Sequence, residues 1–181
     1  MQTVSMMGSG NLGRELDLKT LVDKIESVVG RVDANFTSDS IVTLRMERHG
    51  PAYTVYRTGT FQIRESKSKE ELKTAEDAFL DLLDEIDVNV PKYEFEHVTS
   101  VFMDDIDRDV NLSALAVSLG LESIEYEPEQ FPGLVCRPEE FECVLLVFCS
   151  GKVVITGGKS KKGAENALTF LKNHLDEIDS P

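Results

Sequence analysis

His49, His97 and His174 are the sequence's three imidazoles, and they fall in a turn, a strand and a terminal helix. No nucleophile, base and orienting group can be assembled around any of them. Cys136, Cys143 and Cys149 are odd in number and lack CxxC spacing. Reduced thiols in a cytosol are expected, with no metal site. The stretch GSGNLG (Gly8 to Gly13) echoes the dinucleotide fingerprint GxGxxG. It precedes an antiparallel meander rather than a strand-helix-strand crossover, and the equivalent stretch later in the chain has no glycines, so no cofactor is expected. An enzyme is the poorest reading. The residues that remain recur in pairs along the chain, as Arg45 does with Arg137 and Lys67 with Lys159.

Those pairs are part of a duplication. LDEID occurs at Leu83 to Asp87 and again at Leu175 to Asp179, an offset of 92. At the same offset Lys67-Ser68-Lys69 matches Lys159-Ser160-Lys161, Gly59 matches Gly151, and Tyr56 falls on Phe148. Upstream the offset becomes 94, where ELDLKTL from Glu15 matches DVNLSAL from Asp109. Two repeats are too few for a solenoid, and two like halves sharing a sheet fit better. The halves are taken as residues 1–91, the more divergent, and 92–181.

Each half reads as strand, helix, strands, helix. Leu18, Leu21, Val22, Ile25, Val28 and Val29 keep helical spacing behind Asp17 as cap, and Gly30 ends that helix. Its counterpart runs from about Asn111 to Leu119. Short alternating strands follow in each half, separated by turns such as His49-Gly50-Pro51 and Ser150-Gly151. Long helices close the halves, over about Lys69 to Asp87 and Lys161 to Ile178, with LDEID as their last turn. Five strands per half with the helices on one face give an α+β antiparallel architecture. In the later strands Leu145, Val147, Cys149, Val153 and Ile155 belong under the helices. Val144, Leu146, Phe148, Lys152, Val154 and Thr156 form the other face, apolar enough to bury against a partner.

Composition bounds the partner. The chain has 181 residues, 41% of them hydrophobic, which is enough for a core. No apolar run reaches membrane-spanning length, and the N-terminus does not read as a secretory signal. A net charge of −14 argues against nucleic acid, since phosphates attract Lys and Arg. That veto is weak for a protein working in concentrated salt, which carries many carboxylates and screens them within a few ångströms.

YEPEQFPGLVCR followed by VLLVFCSGKVVITGGKSK resembles the TATA-box-binding protein family, as does GNLGRELDLKTL in the first half. The acidic composition is similar to that of its members in salt-loving archaea. The resemblance implies a pseudo-twofold saddle of two tandem repeats, a ten-stranded curved antiparallel sheet with four helices on the convex face. It also implies a concave face seated in the DNA minor groove; this family is itself the usual illustration of a duplex kinked by wedged apolar side chains.

Carried over residue by residue, the wedges are Phe131 and Phe148, with Tyr56 matching Phe148 in the first half. Asp39 falls at the position of Phe131, and Phe36 lies three residues away. Base-edge contacts fall on Ser5 and Thr99, where the family has asparagine, and on Leu146, Val154, Thr156 and Arg64. A hydroxyl offers one donor where a carboxamide offers two. Phosphate contacts fall on Arg45, Arg137, Lys152, Lys67 and Lys159. Glu127-Pro128-Glu129 resembles the stirrup that docks transcription factor B. The expected partners are therefore promoter DNA, transcription factor B and the RNA polymerase pre-initiation complex, in a cytoplasmic, nucleoid-associated protein. Self-association through the uncovered apolar face is a further expectation. The main reading is a general transcription factor that binds and bends the TATA element. The alternative is a regulator that keeps the transcription factor B contact but binds DNA weakly, favoured by Asp39, Ser5 and Thr99.

Overall fold

The computed structural model describes residues 1–120 and 122–179. Among them are ten strands and four helices, in the order β1 (Gln2–Asn11), α1 (Leu18–Val29), β2 (Asp33–Ser38), β3 (Ile41–Arg45), β4 (Ala52–Tyr56), β5 (Thr60–Ser66), α2 (Lys69–Glu85), β6 (Glu94–Asp105), α3 (Leu112–Leu119), β7 (Ile124–Glu125), β8 (Gly133–Cys136), β9 (Val144–Phe148), β10 (Lys152–Thr156) and α4 (Lys161–Asp179). The class is α+β with antiparallel strands, as expected. No helix among the described residues is long and apolar enough to cross a membrane.

The chain divides into two compact units. The first is Ser5–Val98; the second joins Met1–Val4 to the chain from Thr99 onward. Strand order is β2-β3-β4-β5-β1 in the first and β6-β10-β9-β8-β7 in the second. The pairing registers of β3–β4 and β8–β9 coincide at the offset of the sequence repeat: Thr43 opposes Thr54 as Val135 opposes Leu146, and Ile41 opposes Tyr56 as Gly133 opposes Phe148.

Alternation along the strands sets the two faces. In the first unit Val42, Leu44, Tyr53, Val55, Phe61 and Ile63 are buried against Leu18, Leu21 and Ile25 of α1 and Leu72, Phe79 and Leu83 of α2. In the second, Leu134, Cys136, Leu145, Val147, Val153 and Ile155 are buried against Leu112 and Leu115 of α3 and Ala167, Leu168 and Leu171 of α4. Each unit thus covers one sheet face with two helices and leaves the other open. Cys149 departs from the alternation: it lies exposed in the turn after β9 instead of under the helices. The strand ends at Phe148 because the chain reverses through Gly151, whose φ of +86° is a left-handed conformation that glycine adopts without strain.

That hairpin is itself duplicated. Gly59 N donates to Tyr56 O at 2.9 Å, and Gly151 N donates to Phe148 O at 3.0 Å. Leu16 N reaches Arg57 O at 2.8 Å, and Val110 N reaches Cys149 O at 2.9 Å, tying each hairpin to the segment that leads into the following helix. Those helices start on equivalent caps: Asp17 accepts from Thr20 N at 2.8 Å and Asn111 accepts from Ala114 N at 3.1 Å. LDEID behaves differently in its two copies. In the first, α2 ends at Glu85, and Asp87 takes a φ of +55°. Asp87 N donates to Asp84 O and Val88 N to Leu83 O, which closes the helix as a Schellman motif. In the second copy the segment stays helical to Asp179.

Candidate nucleic-acid interface

The open face of the second unit is apolar. Val135, Leu146 and Val154 are half-buried in its middle, with Val144 and Thr156 beside them and Met103 on β6. At one end stand two rings. Phe131 and Phe148 meet edge to face, with centroids 5.8 Å apart and planes at 64°. Phe131 is 36% exposed, unusual for so large an apolar side chain. The loop before it is a tight turn in which Gln130 N and Phe131 N both donate to Glu127 O at 2.9 Å, and the Gln130 side chain bonds the Glu127 carboxylate. Glu127, Pro128 and Glu129 are all exposed on that turn.

Gly133 makes the ring pair possible. A Cβ there would stand 2.8 Å from the Phe131 ring and 3.1 Å from the Phe148 ring, so a side chain would push the pair apart. The equivalent position in the first unit is Ile41, opposite Tyr56. Asp39 stands two residues before Ile41, as Phe131 stands two before Gly133, on the two-residue turn between β2 and β3. Phe36 does not replace it. It pairs with Val42, whose side chain points toward the helices, and it lines one pocket with Leu16, Leu18, Asp39 and Arg57. The sequence left Asp39 and Phe36 both open; the register turns Phe36 away, and Asp39 matches Phe131 by count alone, since the connection into β3 is two residues shorter than the one into β8.

The open face of the first unit is polar. Thr43, Gln62 and Ser9 are half-buried on it, Thr54 is 5% exposed, and Arg64 lies across Thr54. Arg64 Nη2 donates to Thr54 Oγ1 at 2.7 Å, and Thr54 and Thr43 share a hydrogen bond at 3.1 Å. Arg64 Nε is shielded from solvent and has no hydrogen-bond partner. A buried donor without an acceptor is costly, so this guanidinium has unspent capacity for a ligand oxygen. Ser5 on β1 and Thr99 on β6 are half-buried within their own units.

Both arginines singled out for phosphate are ion-paired. Arg45 bonds Glu65 at 2.6 Å and Gly50 O at 2.9 Å, and Arg137 bonds Glu125 at 2.8 Å. The hydrogen bond that Arg45 donates to Glu65 raises the pKa of Arg45 further above its already high ordinary value. Such half-exposed pairs are worth little in water, so a phosphate can displace the carboxylate at small cost. Lys152, Lys67 and Lys159 are exposed at strand and loop ends. Sequence reasoning missed the contribution of Gly133, because the glycine matters only through two rings that tertiary structure brings over it. Inside the second core, burial pushes the Cys136 thiol up to about 11, with Cys143 nearby adding to the shift. Both thiols stay protonated at neutral pH.

Comparison with known proteins agrees along the whole chain. The family model described as "Transcription factor TFIID (or TATA-binding protein, TBP)" matches residues 1–86 and 94–178. TATA-box-binding protein C of Halobacterium salinarum is 39% identical over 183 aligned residues, covering 98% of each chain. TATA-box-binding protein 2 of Haloferax volcanii is 36% identical, covering 96% of this chain and 92% of that one. Among solved structures, Methanococcus jannaschii TBP superposes with a TM-score of 0.78 at 30% identity, covering 98% of both chains.

Proposed function

Because the chain belongs to the TATA-binding protein family, we propose that it acts as a general transcription factor that grips promoter DNA in the minor groove, bends it, and recruits transcription factor B. The observation that carries this reading is the apolar open face of the second unit, ending in the ring pair Phe131–Phe148. Apolar wedges unstack base steps, and a bent duplex then covers more protein surface. Tyr56 is the corresponding wedge of the first unit. Leu146, Val154, Thr156, Ser5, Thr99 and Arg64 face the base edges. Arg45, Arg137, Lys152, Lys67 and Lys159 take phosphates. Glu127 and Glu129, held on a rigid turn, present charge to a basic surface of transcription factor B, and through it to RNA polymerase.

The family is one of transcription factors and not of enzymes, and no catalytic role is assigned. The weak-binding regulator is not favoured: relatives named as TATA-box-binding proteins match the chain over nearly its full length. The protein works in the cytoplasm on the nucleoid. Without DNA, its apolar face favours self-association, which sedimentation at rising concentration tests; a monomer throughout would end that part of the proposal.

The test of the main reading is binding to a labelled TATA duplex in molar potassium chloride, with end-to-end energy transfer reporting the bend. Tight, bent, TATA-selective complexes that add transcription factor B are expected, and Glu127→Arg is expected to lose only the last step. Failure to bind the TATA duplex above a G·C-rich control would overturn it.

A further inference from the structure

One row of residues crosses four strands of each sheet on the open face. In the first unit it runs Thr43, Thr54, Gln62, Ser9, each opposite the next in the strand register. In the second it runs Val135, Leu146, Val154, Met103 through the same pairings. Every member of the first row is polar and every member of the second is apolar. The next position along repeats the contrast in milder form, with Arg64 in the first unit against Thr156 in the second.

The minor groove makes this difference legible. An A·T pair shows only acceptors there, in either orientation, whereas a G·C pair adds the donor of the guanine amino group. Against Val135, Leu146 and Val154 that amino group would lose water and find no acceptor, which is the expensive way to bury a donor. Against the first row it meets the half-buried hydroxyl oxygens of Thr43 and Ser9 and the Gln62 carboxamide oxygen, all able to accept, while Thr54 lies buried behind Arg64. The same hydroxyls, the Gln62 amide and the Arg64 guanidinium donate equally well to the acceptors of either pair. The first row therefore has no physical basis for rejecting G·C, while the second does.

We infer that the two units read DNA by different rules: the second demands A·T, and the first accepts G·C as readily as A·T through Thr43, Gln62, Ser9 and Arg64. This rests on the minor-groove reading above and goes beyond it. The preferred element is then lopsided, and its lopsidedness fixes which way round the protein sits. On a box with G·C pairs in one half only, the protein turns so that the second unit lies over the A·T half.

Three duplexes test this on the full-length protein: one with an A·T-only box, one with G·C pairs in one half, and one with G·C pairs in both. The half-substituted duplex is expected to bind within about threefold of the A·T box. The fully substituted one should bind about tenfold or more weaker, the usual cost of an unmatched pair. Orientation is read by energy transfer from a dye on Val117→Cys, in a Cys149→Ser background, to an acceptor at either duplex end. Val117 is 79% exposed on α3 of the second unit, and transfer should be strongest to the A·T end of the half-substituted box. The double variant Thr43→Val, Gln62→Val copies two members of the second row into the first and should make the half-substituted duplex about tenfold weaker. The wild-type comparison decides even if that variant does not fold. Equal losses from one half and then the other, or no orientation preference, would overturn the inference while leaving minor-groove binding intact. No binding to the A·T box would overturn both.

Discussion

The two units divide their aromatic rings differently between core and open face. In the first, Phe61 sits among Phe79, Tyr93 and Phe95 with centroids 5.1 to 6.3 Å away, and Tyr53 stacks on Phe79 at 5.2 Å. Those rings build the core, and the middle of the open face is left to hydroxyls, a carboxamide and a guanidinium, with Ile41 and Tyr56 at its end. In the second unit the strand side of the core carries one buried ring, Phe102, among mainly aliphatic side chains, and the pair Phe131–Phe148 stands outside it. A duplication with one backbone register has thus kept its fold twice over while changing what it presents. The core needs volume and apolarity only, and leucine or phenylalanine can supply both. The open face has no such freedom if it is to meet a partner.

The largest effect that checks this contrast is on stability. Phe61→Ala is expected to cost about 3–5 kcal/mol in denaturant unfolding. Phe131→Ala should stay within about 0.5 kcal/mol, because its ring is already partly in water. Comparable losses would break the division between core rings and face rings. On DNA the order reverses. Phe148→Ala should weaken binding to a TATA duplex by roughly tenfold to a hundredfold, as loss of a ring stacked on bases does, with a smaller loss for Tyr56→Ala. Fluorescence anisotropy measures both. Equal losses would mean that the first unit wedges as fully as the second.

A smaller effect lies in the bulge after the open face. Glu65 and Gly157 hold equivalent positions with φ of 70° and 91°, but only Gly157 suits that conformation. The nearest atoms to a Cβ at Gly157 are 3.6 Å away, so Gly157→Ala should cost about 1 kcal/mol through the backbone alone. Glu65→Gly removes the same strain but also the Arg45 ion pair, and should come out within about 0.5 kcal/mol of neutral. Thermal unfolding of the two variants separates these outcomes.

The smallest difference is in the helix caps. Backbone and side-chain hydrogen bonds from Thr20 hold the Asp17 carboxyl below its ordinary value of 3.8. A depressed folded-state pKa means that the cap is fully formed above pH 3.8 and is lost as pH falls through the lower folded value. Asn111, which caps α3, does not titrate. An NMR titration should therefore show acid fraying at the Thr20 amide and none at Ala114, and Asp17→Asn should abolish the first.

Much of this was legible without coordinates. The offset between the LDEID copies carried the duplication, and the position of the first helix followed from apolar spacing between Asp17 and Gly30. Periodicity also separated Leu145 and Val147 from Leu146 and Phe148, because alternation is a property of any extended chain. What stayed hidden depended on distance across the sheet. Asp39 and Phe36 are three residues apart, and only the register with Val42 shows that Phe36 turns toward the helices. Cys149 followed the alternation on paper until the strand stopped one residue before it.

The amino-acid sequence by itself determined the repeat, the two-layer arrangement of each unit and the candidate ring pair, since these rest on local spacing and on one apolar pattern written twice. Tertiary structure alone decided that Phe131 and Phe148 touch over Gly133, and that four polar residues from four strands line up in one unit where four apolar ones do in the other. Such rows join residues up to fifty-odd positions apart in the chain, as Ser9 and Gln62 are, and hydrogen-bond register, not sequence proximity, makes them neighbours.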